Sequence, residues 1–301
     1  MEMISLFAVT YLVIVPALVY WCVDKLSGLY VLASYSLSVA VNAVVKLTAC
    51  VYRPWIRDSR IVPAGDAITT ATGYSFPSGH SSTAAPIYGS LAVSSKKMSW
   101  ISWLCLFCIL LTGFSRLYLG VHTPQDVLVG LLIGFLTVFF MGKLFKYFNS
   151  HPEREDLFLG IGAVCGIVAI AYITFKSYPM DYVGDQLLVD PYRMKKDGYG
   201  DIGMFISYCV SRVVEKHWVK YEPSGSKANL AVALTGGVLL FFLIETLSKP
   251  LRALLGLHWG TLATEFMIYF FIIVLWPAVM KRAIINKENT SEENDVMEDL
   301  K

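Results

Sequence analysis

Ser115-Arg116-Leu117-Tyr118-Leu119-Gly120-Val121-His122-Thr123-Pro124-Gln125-Asp126 joins two long apolar runs, and its reading decides what the rest of the chain must be. An arginine, a histidine and an aspartate stand at the edges of segments long enough to cross a bilayer, where an ionisable side chain is costly unless it has a use. Pro124 suits the first position of a helix and Thr123 its N-cap, so the second run begins there. Asp126 then falls in the first turn, close to His122. A carboxylate on one imidazole nitrogen fixes the tautomer and leaves the other nitrogen free to attack. A capped helix end beside an interfacial histidine would contain the same residues, so this block alone leaves both readings open.

The composition places the block in a membrane setting. The chain has 301 residues, 55% hydrophobic and 16% charged, with a mean hydropathy of +0.56. A soluble domain carries about 25% charged residues. The net charge of +2 suggests no nucleic-acid partner. Cys22, Cys50, Cys105, Cys108, Cys165 and Cys209 lie mostly in apolar runs. They read as small buried hydrophobes, not as a disulfide framework or zinc site. Met1-Glu2-Met3-Ile4 lacks the basic stretch of a signal peptide, so the first apolar run is expected to stay as a membrane helix.

Run length and periodicity predict helices over about 4–23, 28–48, 79–95, 99–118, 124–146, 156–177, 228–247 and 262–280. Polar stretches over about 49–76 and 178–199 are expected outside the lipid, with an amphipathic piece near 249–259 in the interface. The segment 200–218 is ambiguous: Ile202 to Val210 is a short apolar run, and Arg212, Glu215 and Lys216 follow it. The expected fold is all-α, a polytopic transmembrane helical bundle. Its six-helix core would occupy about 1–180, and about three more spans with an outer loop 181–284, leaving a charged, disordered tail over 285–301. Lys25, Lys96, Lys97, Lys143, Lys146 and Arg154 share one side if helices alternate, which makes that side cytoplasmic. Lys281 and Arg282 join them only if 200–218 crosses, a layout of about nine spans with the N-terminus outside.

Two more polar blocks then fall on the same outer face as His122. In Pro77-Ser78-Gly79-His80, Ser78 is a natural N-cap and the helix N-terminus offers unpaired N–H groups to an anion. Gly79 lets the backbone approach that anion, and His80 is placed to give a proton to a leaving oxygen. Lys46 ends the second apolar run, with Arg53-Pro54 just outside it. A guanidinium fork and an ammonium both suit phosphate oxygens. Snorkelling at a membrane edge would explain either residue, but not three blocks on one face. Arg57, Asp58 and Arg60 read as a solvated face of the outer loop. Tyr74 and Phe76 read as either a lipid entry path or interfacial anchors.

Taken together, Lys46 with Arg53-Pro54, Pro77-Ser78-Gly79-His80, and Ser115-Arg116 with His122 and Asp126 resemble the signature of the type 2 phosphatidic acid phosphatase superfamily. The resemblance covers roughly residues 40–146 and has no substitution at these positions. It implies that His122 attacks phosphorus to form a phosphohistidine, that Asp126 orients it, and that His80 protonates the leaving group and later helps activate water. Lys46, Arg53, Ser78, Gly79 and Arg116 would hold the phosphoryl oxygens. The family needs no metal, and no cofactor is expected. The implied partner is a lipid phosphate or pyrophosphate, met at the non-cytoplasmic face of a membrane, the cell membrane being the expected one. Glucose-6-phosphatase-like hydrolysis of soluble sugar phosphates and a non-catalytic lipid-binding or transport protein are the alternatives. The complete motif set argues against the last of these. Oligomeric state leaves no signal in the sequence.

Overall fold

The structure is a computed structural model that describes residues 12–283 apart from 66, 72, 96–98 and 225–226. The beginning of the first expected helix, the Lys96–Lys97 pair and the expected tail over 285–301 lie outside the described residues. The chain is an all-α polytopic bundle, with one small hairpin as its strand content among the described residues.

Helix α1 (Ile14–Val23) ends in a π-helical turn. Asp24 then starts α2 (Lys25–Ala49), its carboxylate accepting from Ser27 N at 2.6 Å. Two short helices, α3 (Pro54–Arg57) and α4 (Ala67–Thr70), lie in the first polar stretch. Then come α5 (Gly79–Ser94), α6 (Ser99–Tyr118), α7 (Pro124–Ser150) and α8 (Glu155–Phe175). A hairpin of β1 (Tyr182–Val183) and β2 (Gln186–Leu187) pairs Tyr182 with Leu187. The last helices are α9 (Pro191–Val214), α10 (Lys227–Leu255) and α11 (Leu257–Phe270).

By length and composition, five segments among the described residues can cross a membrane: Lys25–Arg57, Trp100–Tyr118, Pro124–Ser150, Pro152–Phe175 and Leu257–Ala283. On α8, Leu157, Ile161, Val164 and Val168 are all exposed, an apolar face suited to lipid.

Two boundaries differ from the sequence reading. The second polar stretch becomes helical at Pro191, because Asp190 caps the turn by accepting from Tyr192 N at 2.9 Å. The ambiguous 200–218 segment is the continuation of that helix, closed by a π turn at Glu215–Val219. The amphipathic piece near 249–259 is likewise not separate. Helix α10 runs through Pro250 to Leu255, and Gly256 at φ 80° breaks the chain before α11.

Helix α2 lies at the centre, packed on α5, α7 and α9, while α9 is clasped between α8 and α11. Close approach depends on small residues. A Cβ on Gly198 of α9 would sit 2.6 Å from Leu47 Cδ1, and one on Gly130 of α7 would sit 2.6 Å from Ser78 O. Trp21 donates to Ile272 O at 2.9 Å and Tyr20 to Ile273 O at 3.3 Å. Both acceptors belong to the π turn Phe271–Leu275, where a wider helical turn leaves carbonyls open to outside donors.

Helix α9 runs from one end of the bundle to the other, antiparallel to α2. Its first turn lies by the motif blocks, with Met194 beside Gly73. Its last turns reach the start of α2, where Lys25 pairs with Glu215 at 2.9 Å. Arg212 pairs there with Glu155 at 2.8 Å and with Glu215, and Lys216 pairs with Asp156 at 2.9 Å. Lys281 also reaches this end, donating to Val219 O at 2.7 Å. The charges that made 200–218 ambiguous are thus neutralised by partners from α2 and α8. Glu215 is fully buried between Lys25 and Arg212, so Glu215→Ala removes the carboxylate they share and leaves Lys25 only the exposed Glu222 and Arg212 only Glu155. It is expected to lower stability by about 3 kcal/mol, read as a drop in the detergent-solubilised melting temperature.

Candidate active site

The three polar blocks converge at the end of the bundle opposite the Lys25–Glu215 pair. Thr123 caps α7 by accepting from Asp126 N at 3.4 Å, and Asp126 returns the bond by accepting from Thr123 N at 2.8 Å. This capping box fixes the Asp126 carboxylate beside the imidazole, with Oδ2 3.4 Å from His122 Nδ1. Ser75 adds a hydroxyl bond to the same oxygen. Sequence reading assigns Ser75 no role; the residue stands two positions before Pro77 and reaches Asp126 only through the fold.

Arg53 is 6% exposed and reaches across the site. It donates through Nε to Gly73 O at 3.1 Å and through Nη1 to Val121 O at 2.9 Å. The same Nη1 lies 3.0 Å from His122 Nε2. A guanidinium only donates, so His122 Nε2 accepts and carries no proton. The proton of the neutral ring is then on Nδ1, facing Asp126. Arg116 Nη1 caps His80 Nε2 in the same way at 3.2 Å, while its Nε donates to Ser115 Oγ at 3.1 Å. Arg116 Nη2 is buried with no hydrogen-bond partner.

Ser78 is fully buried and caps α5, its Oγ accepting from Ser81 N at 3.4 Å and from Ser81 Oγ at 3.1 Å. Its side chain is turned into the helix end and does not line the central cavity. Gly79 does line it, and a Cβ there would stand 3.6 Å from Lys46 Nζ, so the lysine lies directly over the start of α5. The structure therefore gathers all eight expected residues at one end of the bundle. Lys46, Arg53, Gly79, His80 and His122 face a shared cavity of about 480 Å³. Asp126, Arg116 and Ser78 back them.

Three cations, Lys46, Arg53 and Arg116, meet at the motif end, where the Asp126 carboxylate is engaged by Ser75, Thr123 and His122; Asp197, Asp201 and Glu265 also line the cavity. Burial pushes the His122 imidazole down from 6.5 to about 3, against the bond to Asp126, which raises it, and with help from the Arg53 and Lys46 charges. Between those two values the folded chain holds fewer protons on this ring than the unfolded chain, so acidification through that window costs stability. Tyr74, read from sequence as an entry-path or interface residue, is fully buried against Tyr52 with ring centroids 6.0 Å apart. Arg60 pairs with Asp58 at 2.7 Å on the surface, as a solvated face would.

The cavity extends past the motif residues to groups that sequence reading did not single out: Asn42, Asp201, Arg252, Glu265 and Tyr269. The Asp190-Pro191 pair, a cap followed by a first-turn proline, is the signal for a helix that would have put Asp197 and Asp201 one turn apart on the cavity side.

The tautomer can be checked by ¹⁵N NMR of histidine-labelled protein. His122 is expected to remain the neutral Nδ1–H form at pH 5, where an ordinary imidazole is mostly protonated.

A family model described as the PAP2 superfamily matches residues 27–150. Phosphatidylglycerophosphatase B of Bacillus subtilis is 32% identical over 160 residues, 50% of this chain and 71% of that protein. An undecaprenyl-diphosphatase of Sulfolobus acidocaldarius is 31% identical over 107 residues, 36% of this chain and 50% of its own. Undecaprenyl-diphosphatase BcrC of Bacillus subtilis is 35% identical over 100 residues, 32% of this chain and 48% of its own. The chain thus spans about half the length of the two diphosphatases. No solved structure matches it. With the three motifs in order at one cavity and a relative matched over most of its length, the chain belongs to the PAP2 superfamily.

Proposed function

We propose that this membrane phosphatase hydrolyses phosphate monoesters or pyrophosphates of lipids at the non-cytoplasmic face, without a metal, through a phosphohistidine on His122. The observation that carries the reading is the chain Asp126–His122–Arg53, in which the imidazole nitrogen facing the cavity is unprotonated and rests against a phosphate-type donor.

An entering phosphate draws Arg53 and Arg116 onto its oxygens, together with Lys46 and the backbone at Gly79. That removes the guanidinium from each imidazole. His122 Nε2 then attacks phosphorus while the ester P–O bond breaks, and its electron pair leaves on the alcohol oxygen. His80, once Arg116 has left its Nε2, takes up the proton of the monoanionic phosphate and passes it to that oxygen. In the second half, water attacks phosphorus as the P–N bond breaks, His80 takes the water's proton, and His122 is released as the neutral ring. Asp126 stabilises the imidazolium character that develops on His122 and keeps Nδ1 pointed away from phosphorus. Phosphoryl transfer requires chiefly positioning and charge neutralisation, which three cations and a helix N-terminus supply.

The basic residues support that orientation. Lys25, Arg212, Lys216 and Lys281 gather at the end opposite the motifs, the end that the positive-inside rule favours for the cytoplasm. The names of the relatives support a lipid headgroup or diphosphate as substrate.

Purified protein is expected to release phosphate from a lipid phosphate with EDTA present. His122→Ala should lower kcat on the order of 1,000-fold or more while the melting temperature is retained. Alkali-stable, acid-labile ³²P labelling of the wild type and none in His122→Ala would be the direct readout. Near-wild-type turnover in the variant would overturn the assignment of the nucleophile.

A further inference from the structure

Ser75 belongs to none of the three motif blocks, yet it is fully buried beside them and donates its hydroxyl proton to Asp126 Oδ2. The same oxygen accepts from Thr123 N at 2.8 Å and faces His122 Nδ1 at 3.4 Å. A carboxylate has about four lone-pair sites over its two oxygens, so three donors crowd the two sites of one oxygen. The contact to His122 is the longest of those with a normal geometry, and it is the one left incomplete. The imidazole therefore faces an acceptor that two other donors already hold.

That arrangement suits a ring that changes charge during the reaction. While neutral, the imidazole needs only a loose bond at Nδ1 to keep its tautomer. Once Nε2 is bonded to phosphorus the ring is cationic, and a charge-assisted N–H···O⁻ bond shortens to about 2.7–2.9 Å. The carboxylate must stay aimed at Nδ1 for that tightening to occur. The terminal torsion of an aspartate is broad, so a single anchor would leave the group free to turn. Thr123 N anchors it from the helix cap and Ser75 from the loop that leads into α5.

Ser75 is itself held on both flanks. Its N–H donates to Val51 O at 2.7 Å, in the turn between α2 and α3. Two residues earlier, Gly73 O accepts from Arg53 Nε at 3.1 Å, and Tyr74 between them is fully buried. Gly73 has φ 71°, and a Cβ there would stand 1.6 Å from Sδ of Met194 on α9. The first motif loop and α9 thus fix the backbone that carries the hydroxyl, which preorganises it.

We propose that Ser75 is a positioning residue for phosphoryl transfer: its hydroxyl holds the Asp126 carboxylate at the angle from which it steadies His122 while Nε2 forms and breaks the bond to phosphorus. The proposal rests on the phosphatase reading above and adds a residue to it. Ser75 does not line the cavity and acts only through Asp126. The charges facing His122 are Asp126 on α7 and Arg53 and Lys46 from the first block, with His80 of α5 nearby. Of these, only the Asp126 carboxylate is altered by changing Ser75.

The test uses the full-length protein in mixed micelles with EDTA. Its substrate is whichever of phosphatidic acid, phosphatidylglycerol phosphate and a polyprenyl diphosphate the wild type turns over fastest. Ser75→Ala is expected to lower kcat at least about fivefold while KM stays within about twofold. Its melting temperature should fall by no more than about 4 °C. Without the competing donor the carboxylate holds the imidazolium more strongly, so the His122 titration midpoint should rise by on the order of one pH unit. That midpoint is read by ¹⁵N NMR without substrate. Ser75→Thr, which keeps the hydroxyl, should recover most of kcat. In an Asp126→Ala background Ser75→Ala should change turnover by less than about twofold, because the acceptor is gone. Wild-type kcat with an unmoved His122 midpoint in Ser75→Ala would overturn the proposal, as would an undiminished loss in the Asp126→Ala background. If the alanine chain does not fold, Ser75→Cys, close in size and a weak donor, is read in the same way. No release by the wild type from any of the three lipids would instead remove the phosphatase reading, while the His122 midpoint would still report on Ser75.

Discussion

Asp126 accepts from Ser75, from Thr123 N and from His122 at once, and the order of the whole motif end derives from that carboxylate. The backbone carbonyl of the same residue accepts from Ser78 N at 2.9 Å, so the start of α5 is tied to the start of α7. Through His122 the tie extends to Arg53, and through Arg53 to the carbonyls of Gly73 and Val121. Loops at a bilayer surface have neither lipid nor a sheet to order them. Here one side chain and its own carbonyl join three of them. Gly130 completes the arrangement from below, since its missing side chain lets α7 close on Ser78.

The same network gathers Lys46, Arg53 and Arg116 at the motif end, with Asp126 already engaged through Oδ2. The two arginines rest against imidazole nitrogens, which are neutral acceptors and weaker partners for a guanidinium than an oxyanion.

Much of the motif end was legible from residues alone. Thr123, Pro124 and Asp126 form a local capping pattern, and Ser78 another, so the helix starts that position both histidines follow from nearest neighbours in sequence. What could not be read was long-range. Ser75 and Asp126 are 51 positions apart, and nothing local marks them as partners. The 178–199 stretch reads as a loop because its charges suggest water, whereas from Pro191 onward it is helix, with Lys196 and Asp197 lining the cavity and Arg193 exposed. The same applies to Arg212 and Glu215, whose partners on α2 and α8 only the tertiary fold supplies. Charge in an apolar chain was thus a sound guide to where pairing lies, but a poor guide to where helices end.

Helix α9 carries Arg193, Lys195, Lys196, Asp197, Asp201 and Arg212, and yet it runs the length of the bundle. A charged side chain near the middle of a helix costs about 2.5–3.5 kcal/mol on the scale measured for insertion by the translocon. Entering lipid alone, α9 would be rejected; it has to be taken in against helices that cover its charges. Helices α2 and α8 precede it during synthesis, but α11, which packs on it most extensively, follows. The part of the cavity wall carried by α10 and α11 is consequently made after the motif-bearing half. A ribosome that has finished only that half has made the motif pocket with one side open to its surroundings.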